Sequence, residues 1–321
     1  MIKVLIAKNP VEDTWLNYPF LYEKAVKGLS KFAQVDWCSI KDESKPISAN
    51  FELAPYQGII SFGGKFTEEC LKKAKNLRIV SGFKCDEELL QKKGIPFIEL
   101  SGGWQRSVAE LGIGLTLSCL RQIALFHKRM SLGTEFWPQR QFSEDPAFVN
   151  GELYGKKVGI FGFGRIGQYY GKLVQAFGAE TTAYDNKLPK EIYQQQNTTF
   201  MEIDQLIGWS DIFCICASPT PENKGIINRE RIYMLKKGAI LIVISRAFPL
   251  DMEAVRERVR LGEIAGGFDV YDVEPLPSDD PLRLSPNVTL TPHIGGKCAD
   301  SNRMMADIIV EAFRKELINE N

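Results

Sequence analysis

The feature that most constrains this chain is a short apolar run that leads directly into three closely spaced glycines. Residues 158–161 read Val-Gly-Ile-Phe, which is typical of a buried strand. Gly162, Gly164 and Gly167 follow in a G-x-G-x-x-G pattern. Apolar residues at helical spacing then continue to Phe177. A strand, a glycine turn and a helix in this order favour a parallel α/β fold, because the turn folds the helix back against the sheet.

The same motif predicts where a dinucleotide binds. Gly162 permits a tight turn, and Gly164 lets a pyrophosphate approach the backbone amides at the helix N-terminus. Gly167 lets the helix pack closely against the strand. Arg165 and Ile166, which stand between the last two glycines, belong to the predicted cofactor site. The alternative is a glycine turn that serves packing alone.

The carboxylate of Asp185 sharpens this prediction. It ends the next predicted strand, 18 residues beyond Gly167, where it can bind the hydroxyls of the adenosine ribose. The 2'-phosphate of NADP would face the same negative charge, so we expect NAD as the cofactor. Lys187 stands close enough in sequence to soften that clash.

Two series of short β-rich runs, separated by amphipathic segments, divide the chain. The first series comprises residues 3–7, 34–39, 58–61, 77–80 and 97–100, and the second comprises 157–161, 180–184, 212–216, 239–244 and 266–269. A length of 321 residues also favours two domains. We therefore expect an α/β protein with two doubly wound parallel-sheet domains.

Between the two series, the sequence predicts one long helix and an irregular segment. Ser107 and Glu110 have the spacing of a capping box, and the helix is expected over residues 107–127. Residues 130–153 contain two prolines and show no periodicity, so an irregular arm is expected there.

Composition limits the partners and the compartment. Forty Lys and Arg residues balance forty Asp and Glu residues, which removes the broad attraction that nucleic acid or an anionic membrane needs. The longest apolar runs fall short of the roughly 20 residues that span a bilayer, and the first residues turn polar too early for a signal peptide. We expect a cytoplasmic protein. Seven scattered cysteines without C-x-x-C spacing predict reduced thiols, and no metal site is expected.

Three polar segments near the C-terminus each follow an apolar run. Arg246 follows residues 239–244, while Asp269 and Glu274 come at and after the end of the next run. His293 lies in a Thr-Pro-His-Ile-Gly-Gly segment. Because ligands of open α/β sheets bind at the carboxyl ends of the strands, we expect these side chains to lie near one another. The other histidine, His127, is interpreted as structural.

These motifs resemble the D-isomer-specific 2-hydroxyacid dehydrogenase family in identity and order. The resemblance covers the glycine turn, the strand-to-arginine turn, D-V-x-x-x-E-P and T-P-H-x-G-G. It implies a Rossmann cofactor domain inserted into a flavodoxin-like substrate domain. Residues 1–100 and 291–321 would form the substrate (catalytic) domain, and residues 101–290 the NAD-binding domain.

The resemblance also implies the chemistry of the site. Arg246 would bind the carboxylate of a 2-oxo acid and polarise its carbonyl group, and His293 would donate the proton. Glu274 would favour the imidazolium and orient the ring. Asp269 is similar to the family aspartate that binds the nicotinamide carboxamide. The predicted cofactor contacts further include Pro219 and Ser245.

The loop of Gly82, Phe83 and Lys84 is similar to the family's substrate-binding loop, whose backbone amides hold the substrate carboxylate. Lys84 stands where the family has a second glycine, and Glu99 stands where it has an asparagine. Lys84 either faces solvent or pairs with Glu87 or Glu99, or it reaches the pocket and favours substrates with a second anionic group.

Three further departures from the family pattern lie around the cofactor site. Val243 and Ala247 replace the asparagine and glycine of the arginine turn, so Arg246 is expected to be set slightly differently. Cys216 replaces a nicotinamide-side histidine, which is expected to weaken cofactor contacts.

The sequence thus predicts an oxidoreductase that transfers a hydride between NAD(H) and a small 2-oxo acid or D-2-hydroxy acid. One alternative is an NAD(H)-sensing interaction protein of the corepressor kind, and another is a dehydrogenase of a different small anion such as phosphite or formate. Glu274 argues against formate, because the formate group characteristically has glutamine there. A homodimer through the helix 107–127 and the arm 128–153 is expected, since residues 111–120 are apolar almost all round. Burial within one chain is the alternative.

Overall fold

The computed structural model describes residues 1–8, 19–40, 42, 44–49, 51–83, 85–134 and 151–318. They fall into two compact units, one of Met1–Trp104 with Lys297–Asn321 and the other of Gln105–Gly296. Each unit is built on one sheet whose described pairings are all parallel. The expected fold class, with two parallel-sheet α/β domains, is confirmed.

The first unit has a five-stranded sheet in the order β2-β1-β3-β4-β5. Its strands are β1 (Lys3–Lys8), β2 (Gln34–Ser39), β3 (Gly58–Ser61), β4 (Ile79–Gly82) and β5 (Phe97–Glu99). Its helices are α1 (Pro19–Leu29), α2 (Glu68–Lys73) and α3 (Glu87–Lys92), with short 3-10 turns at Ile47–Ala49 and Leu100–Gly103.

The period of two along β1 explains how this sheet is covered on both faces. Val4 and Ile6 are buried in one apolar cluster, and Leu5 and Ala7 are buried in another. The first cluster also holds apolar residues of α1 and of the last helix of the chain, Ala299–Ile318. The C-terminal helix therefore completes the core that the N-terminal residues begin.

The second unit has a seven-stranded sheet in the order β12-β11-β10-β9-β6-β7-β8. Its strands are β6 (Lys157–Phe161), β7 (Glu180–Tyr184), β8 (Thr199–Phe200), β9 (Ile212–Ile215), β10 (Ile240–Val243), β11 (Ala265–Phe268) and β12 (Val288–Leu290). Its helices are α4 (Gln105–Arg121), α5 (Ile123–Ser131), α6 (Arg165–Ala176), α7 (Lys190–Gln195), α8 (Ile203–Trp209), α9 (Arg229–Met234), α10 (Met252–Arg260) and α11 (Pro281–Leu284), and a 3-10 turn spans Pro221–Asn223. The C-terminal helix of the chain, in the first unit, is α12 (Ala299–Ile318).

The strand order of the second sheet reverses between β6 and β9, which makes the ends of these strands a topological switch point. On one side of this point lie β6, β7 and β8, and on the other side lie β9, β10, β11 and β12. The glycine turn follows β6. The segments that carry Arg246, Glu274 and His293 follow β10, β11 and β12, which are adjacent in the sheet.

His293 belongs to the second unit, which extends to Gly296, whereas the predicted division assigned all residues from 291 onward to the first unit. The reason is local pairing. Strand β12 pairs with β11, and the Thr291 N–H donates to the Phe268 carbonyl oxygen at 2.9 Å. The histidine therefore stays with the sheet that carries Glu274.

The single helix predicted over residues 107–127 is wrong. A break at Gln122, whose φ is +50°, separates α4 from α5. The helix also starts earlier, at Gln105, so Ser107 lies inside its first turn and is not the N-cap. The preceding 3-10 turn at Leu100–Gly103 leads almost directly into α4. Of the expected arm, residues 130 and 131 are helical, and residues 135–150 lie outside the described residues.

Among the described residues, no single helix is long and apolar enough to cross a membrane, and only α4 and α5 taken together, with a 68° bend, meet those criteria.

Candidate active site

The glycine turn after β6 shows why two of its three glycines are required. Gly162 has a φ of +89°, and a Cβ atom there would lie 2.4 Å from the backbone of Ala217. A Cβ on Gly167 would lie 2.2 Å from the Gly162 carbonyl oxygen. Gly164 differs, because no atom lies within 4 Å of the position its Cβ would take. This open space at the N-terminus of α6 fits a pyrophosphate.

Asp185, which follows β7 directly, is fixed by backbone donors. Its Oδ2 accepts a hydrogen bond from the Phe163 N–H at 2.9 Å, and its Oδ1 accepts one from the Lys187 N–H at 3.0 Å. The carboxylate is therefore held against the glycine turn itself. The first turn of α6 contributes Arg165, which is exposed, and Ile166, which is half-buried.

Glu222 and Lys187 form a second charged feature of this region. The carboxylate of Glu222 accepts hydrogen bonds from the Glu222 backbone amide and from the Thr220 hydroxyl. These bonds, with a contribution from the charge of Lys187, lower the pKa of Glu222. The ammonium group of Lys187 therefore acts on the Glu222 carboxylate, which reduces its capacity to offset a 2'-phosphate.

The segment after β9 carries Pro219, and the side chain of Ser245, which follows β10, makes a hydrogen bond with this segment. Pro219 is exposed. The Ser245 hydroxyl is buried and lies 2.8 Å from the Ala217 carbonyl oxygen and 3.2 Å from that of Ile215. The Asn223 amide closes the same segment by donating to the Ser218 carbonyl oxygen at 2.8 Å. Ser245 thus links two strand ends, and its predicted contact with the cofactor stays a prediction.

Glu274 and His293 form a hydrogen-bonded pair. The Nδ1 atom of His293 lies 2.6 Å from Oε2 of Glu274. The other carboxylate oxygen accepts the Tyr271 backbone N–H at 2.9 Å. Both side chains keep a little over a third of their surface exposed, at 38% for the histidine and 35% for the glutamate. The pair is thus oriented by the protein. Among the described residues, Nε2 of the imidazole has no hydrogen-bond partner, so it can serve proton transfer.

The turn that carries His293 is held by a buried aspartate. Asp269 is 1% exposed, and its Oδ1 accepts the Thr291 hydroxyl at 2.6 Å and the Ile294 N–H at 2.9 Å. Its Oδ2 accepts the Gly295 N–H at 2.9 Å. These bonds hold His293 in an unusual conformation with a φ of +52°. Asp269 was predicted to bind the nicotinamide, and this anchoring role was missed.

Arg256 anchors the loop that carries Glu274. Its guanidinium is 10% exposed and binds Asp272 through both terminal nitrogens, at 2.6 and 3.0 Å. Its Nε donates to the buried carboxylate of Asp280 at 2.9 Å. Burial raises the pKa of Asp272, but the hydrogen bonds and the charge of Arg256 outweigh that effect and lower it. This arginine could not be identified from the sequence, because 16 residues separate it from Asp272.

Arg246, by contrast, carries its guanidinium on an exposed side chain. The guanidinium donates to the Ser245 carbonyl oxygen at 2.6 Å. Across the described parts of the chain it makes no ion pair. An exposed guanidinium in the segment after β10, with donors still available, fits a carboxylate ligand.

The predicted substrate loop lies in the first unit. Gly82 ends β4, and Phe83, which is 36% exposed, has its ring 5.4 Å from that of Trp104 and 6.3 Å from that of Phe62. A Cβ on Gly82 would lie 2.5 Å from the Cys85 sulfur, so the loop is packed too tightly for a side chain there. Lys84 lies outside the described residues.

Comparison with known sequences identifies the family of this chain. Residues 113–295 match the family described as D-isomer specific 2-hydroxyacid dehydrogenase, NAD binding domain. A hydroxypyruvate reductase of Thermotoga maritima is 36% identical over 268 residues, which cover 81% of this chain and 84% of that protein. A D-3-phosphoglycerate dehydrogenase of Methanocaldococcus jannaschii is 30% identical over 94% of this chain. The chain spans 56% of the length of that second relative.

Solved structures show the same fold. A protein of Pyrococcus horikoshii OT3 is 26% identical, with a TM-score of 0.77 over 100% of this chain and 96% of that one. A D-lactate dehydrogenase of Aquifex aeolicus, complexed with NAD and lactic acid, is 25% identical, with a TM-score of 0.68 over 97% of this chain and 94% of that one. The chain therefore belongs to the D-isomer specific 2-hydroxyacid dehydrogenase family, and its second unit contains the NAD binding domain of that family.

Proposed function

We propose that the protein transfers a hydride between NAD(H) and a small 2-oxo acid or the corresponding D-2-hydroxy acid. The observation that carries this proposal is the 2.6 Å pair of Glu274 and His293. These residues follow β11 and β12, which come directly after β10, the strand that ends near Arg246, in the order of the sheet. A proton donor and a carboxylate-binding group are the two side chains that reduction of a 2-oxo acid requires.

Each of these side chains has one task in the proposed reaction. The bound nicotinamide supplies the hydride in one direction and accepts it in the other. Arg246 binds the substrate carboxylate and polarises the neighbouring carbonyl group. His293 delivers the proton to the carbonyl oxygen from Nε2, since Nδ1 is bound to Glu274. Glu274 stabilises the protonated ring and keeps it in one orientation.

The glycine turn and Asp185 would hold the cofactor. Gly162, Gly164 and Gly167, with Arg165 and Ile166 in the first turn of α6, would receive the pyrophosphate on backbone amides. In the same proposal, Asp185 binds the adenosine ribose, and Pro219, Ser245 and Asp269 lie along the remainder of the cofactor.

We propose a small 2-oxo acid as the substrate, with its carboxylate also bound by the loop of Gly82, Phe83 and Lys84. Relatives named hydroxypyruvate reductase and glyoxylate reductase, and a structural neighbour named D-lactate dehydrogenase, support this class. The chemistry that these names share is a carboxylate next to a carbonyl or hydroxyl group.

We further propose a homodimer formed through α4, α5 and the segment that follows. None of the residues of α5 is buried, and Ile123, Met130 and Leu132 at or near this helix are more than half exposed. Gly114, on α4, is also exposed, with no atom near the position of its Cβ. Covering such an apolar surface favours self-association. Sedimentation at micromolar concentration tests it, and a monomer would contradict it.

A cytoplasmic location is part of the same proposal. All seven cysteines are free thiols, and the Sγ atoms of Cys214 and Cys216 lie at a hydrogen-bonding distance of 3.5 Å without a disulfide bond. Burial raises the pKa of the Cys38 and Cys119 thiols to about 12, so these side chains stay protonated and unreactive. Reduced thiols of this kind are typical of a reducing compartment.

The decisive experiment is a panel of 2-oxo acids with NADH, followed by the loss of absorbance of the reduced nicotinamide. Glyoxylate, hydroxypyruvate, pyruvate and a dicarboxylic 2-oxo acid would cover the class. We expect turnover with at least one, and its loss in Arg246→Gln, which leaves the glycine turn untouched. Tight NADH binding without turnover of any 2-oxo acid would favour the sensing alternative.

A further inference from the structure

Glu274 and His293 come from two different loops and meet only at the tips of their side chains. Glu274 follows β11, and His293 follows β12, 19 residues later. The 2.6 Å distance between Oε2 and Nδ1 therefore depends on how the two loops are held relative to each other. A residue that binds both loops would control this distance directly.

Tyr271 makes hydrogen bonds with both loops. Its backbone N–H donates to Oε1 of Glu274 at 2.9 Å. Its hydroxyl lies 2.9 Å from the carbonyl oxygen of Thr291 and 3.1 Å from that of Phe268, so one proton is shared between two acceptors. The backbone of Tyr271 thus fixes Glu274, and its side chain fixes Thr291 at the start of the turn that carries His293.

The carbonyl group of Thr291 is the critical acceptor. It also accepts the backbone N–H of His293, at 3.1 Å. This short-range bond closes the turn in which His293 has a φ of +52°, a conformation that non-glycine residues adopt only when their surroundings impose it. The Tyr271 hydroxyl therefore holds the oxygen on which the histidine turn closes.

The charges around Tyr271 keep its hydroxyl protonated. Burial and the charge of Asp269 raise the pKa of Tyr271 to about 12. Glu274 acts in the same direction, while the Thr291 backbone and Arg283 act in the opposite one. The hydroxyl is thus a constant donor across the pH range in which the protein would work.

We propose that Tyr271 is a positioning residue that holds Glu274 and His293 at hydrogen-bonding distance. The inference rests on the proposed function, in which these two side chains deliver the proton. Asp269 alone does not replace Tyr271. It binds the Thr291 side chain and the residues after His293, whereas Tyr271 binds the Thr291 carbonyl and the glutamate.

Tyr271→Phe tests the hydroxyl while it keeps the ring. We expect kcat to fall about tenfold, which corresponds to about 1.4 kcal/mol, with the KM for NADH changed by less than about twofold. Tyr56→Phe is the matched control, because it removes a hydroxyl that binds Asp36 at 3.2 Å in the first unit. The control should leave kcat unchanged. An unchanged kcat in Tyr271→Phe overturns the proposal.

A spectroscopic arm needs no substrate and therefore stands even if the proposed function fails. The chain has two histidines, so proton NMR can assign the hydrogen-bonded Nδ1 proton of His293, with His127 as an internal reference. We expect this proton to exchange with solvent faster in Tyr271→Phe than in the wild type, while the His127 signals stay unchanged. An equal exchange rate overturns the proposal, even if kcat has fallen.

A double-mutant cycle with Glu274→Gln separates positioning from a general loss of structure. If Tyr271 acts through the pair, Tyr271→Phe should cost less than about twofold in kcat once Glu274 has been replaced. The full tenfold loss in that background would show that Tyr271 acts elsewhere and would overturn the proposal.

Discussion

Two regions at the carboxyl ends of strands in the second sheet serve one proposed reaction but are built by different means. The glycine turn after β6 is shaped by close steric contacts with backbone atoms, such as the approach of Gly167 to the Gly162 carbonyl oxygen. The loops after β11 and β12 are held by side-chain hydrogen bonds between residues 16 to 26 positions apart. The glycine turn has few ways to vary, while these two loops depend on several independent partners.

This difference has a practical consequence for substitutions. A single methyl group at Gly162 or Gly167 is expected to damage the glycine turn, because backbone atoms cannot move aside cheaply. In the loops after β11 and β12, loss of one side chain leaves the rest of the network in place. Substitutions in the two regions should therefore separate cofactor binding from proton transfer.

His293→Gln should have the largest effect. Glutamine cannot supply the proton, so kcat should fall about a hundredfold or more, while NADH affinity stays within about twofold. Steady-state kinetics together with fluorescence titration of NADH would measure both quantities. Near-normal turnover would eliminate His293 as the acid. A parallel loss of NADH affinity would mean that the glycine turn and the loops after β11 and β12 do not act separately.

Gly167→Ala is the converse substitution. The new Cβ would lie 2.2 Å from the Gly162 carbonyl oxygen, so the turn must distort, and NADH should bind about tenfold or more weakly. Gly171→Ala on the same helix is the control, because its Cβ would meet atoms only at 3.4 and 3.6 Å. Equal NADH affinity in the two variants would contradict the steric account of the turn.

The parts of the molecule that follow from local sequence were predicted well. The strands at residues 34–39, 58–61, 157–161 and 180–184 have the predicted bounds. The prediction of a single helix over residues 107–127 was wrong, because the break falls at Gln122, and neither glycine nor proline marks it in the sequence. The two-residue strand β8 was missed, since two residues carry no periodicity.

Sequence motifs identified the side chains of the candidate site better than they identified its supports. Arg246, Glu274 and His293 stand in recognisable motifs, and the structure places Glu274 against His293. Arg256 lies outside the recognised motifs, and Tyr271 occupies a variable position of D-V-x-x-x-E-P. The importance of both residues comes from which loops meet after folding. Predicting them requires distances between segments that are remote in sequence.

A smaller effect is expected for cofactor choice. The wild type should prefer NADH to NADPH about tenfold in kcat/KM, because Asp185 would face the 2'-phosphate and the charge of Lys187 is shared with Glu222. Asp185→Asn should narrow this ratio, and its amide oxygen can still accept the Phe163 N–H. Parallel assays with both cofactors measure the ratio. Equal or better turnover of the wild type with NADPH would refute the ribose role of Asp185.

The smallest expected effect is on stability, and it tests how far the loop of Glu274, unlike the glycine turn, depends on charge. The lowered pKa of Asp272 means that its charged form stabilises the folded protein, and this contribution is present above the unfolded pKa of about 3.9. It is lost as the pH falls through the lower pKa of the folded state. Because about a third of the side chain is exposed and solvent screens the pair, Asp272→Asn should lower the free energy of unfolding by only about 1 kcal/mol at neutral pH.

That difference should shrink toward zero as the pH falls below the lowered folded-state pKa of Asp272, where its carboxyl group is protonated in both states. Urea unfolding of wild type and variant at neutral and at acid pH measures it. Asp300→Asn is the control, because Asp300 pairs with Arg303 while 89% of its side chain is exposed, and little change is expected at either pH. A loss of stability in Asp272→Asn that is equal at both pH values would show that packing, and not the charge pair with Arg256, holds the loop of Glu274. The contrast between a glycine turn shaped by steric contacts and loops held by side-chain bonds and charge would then fail at this loop.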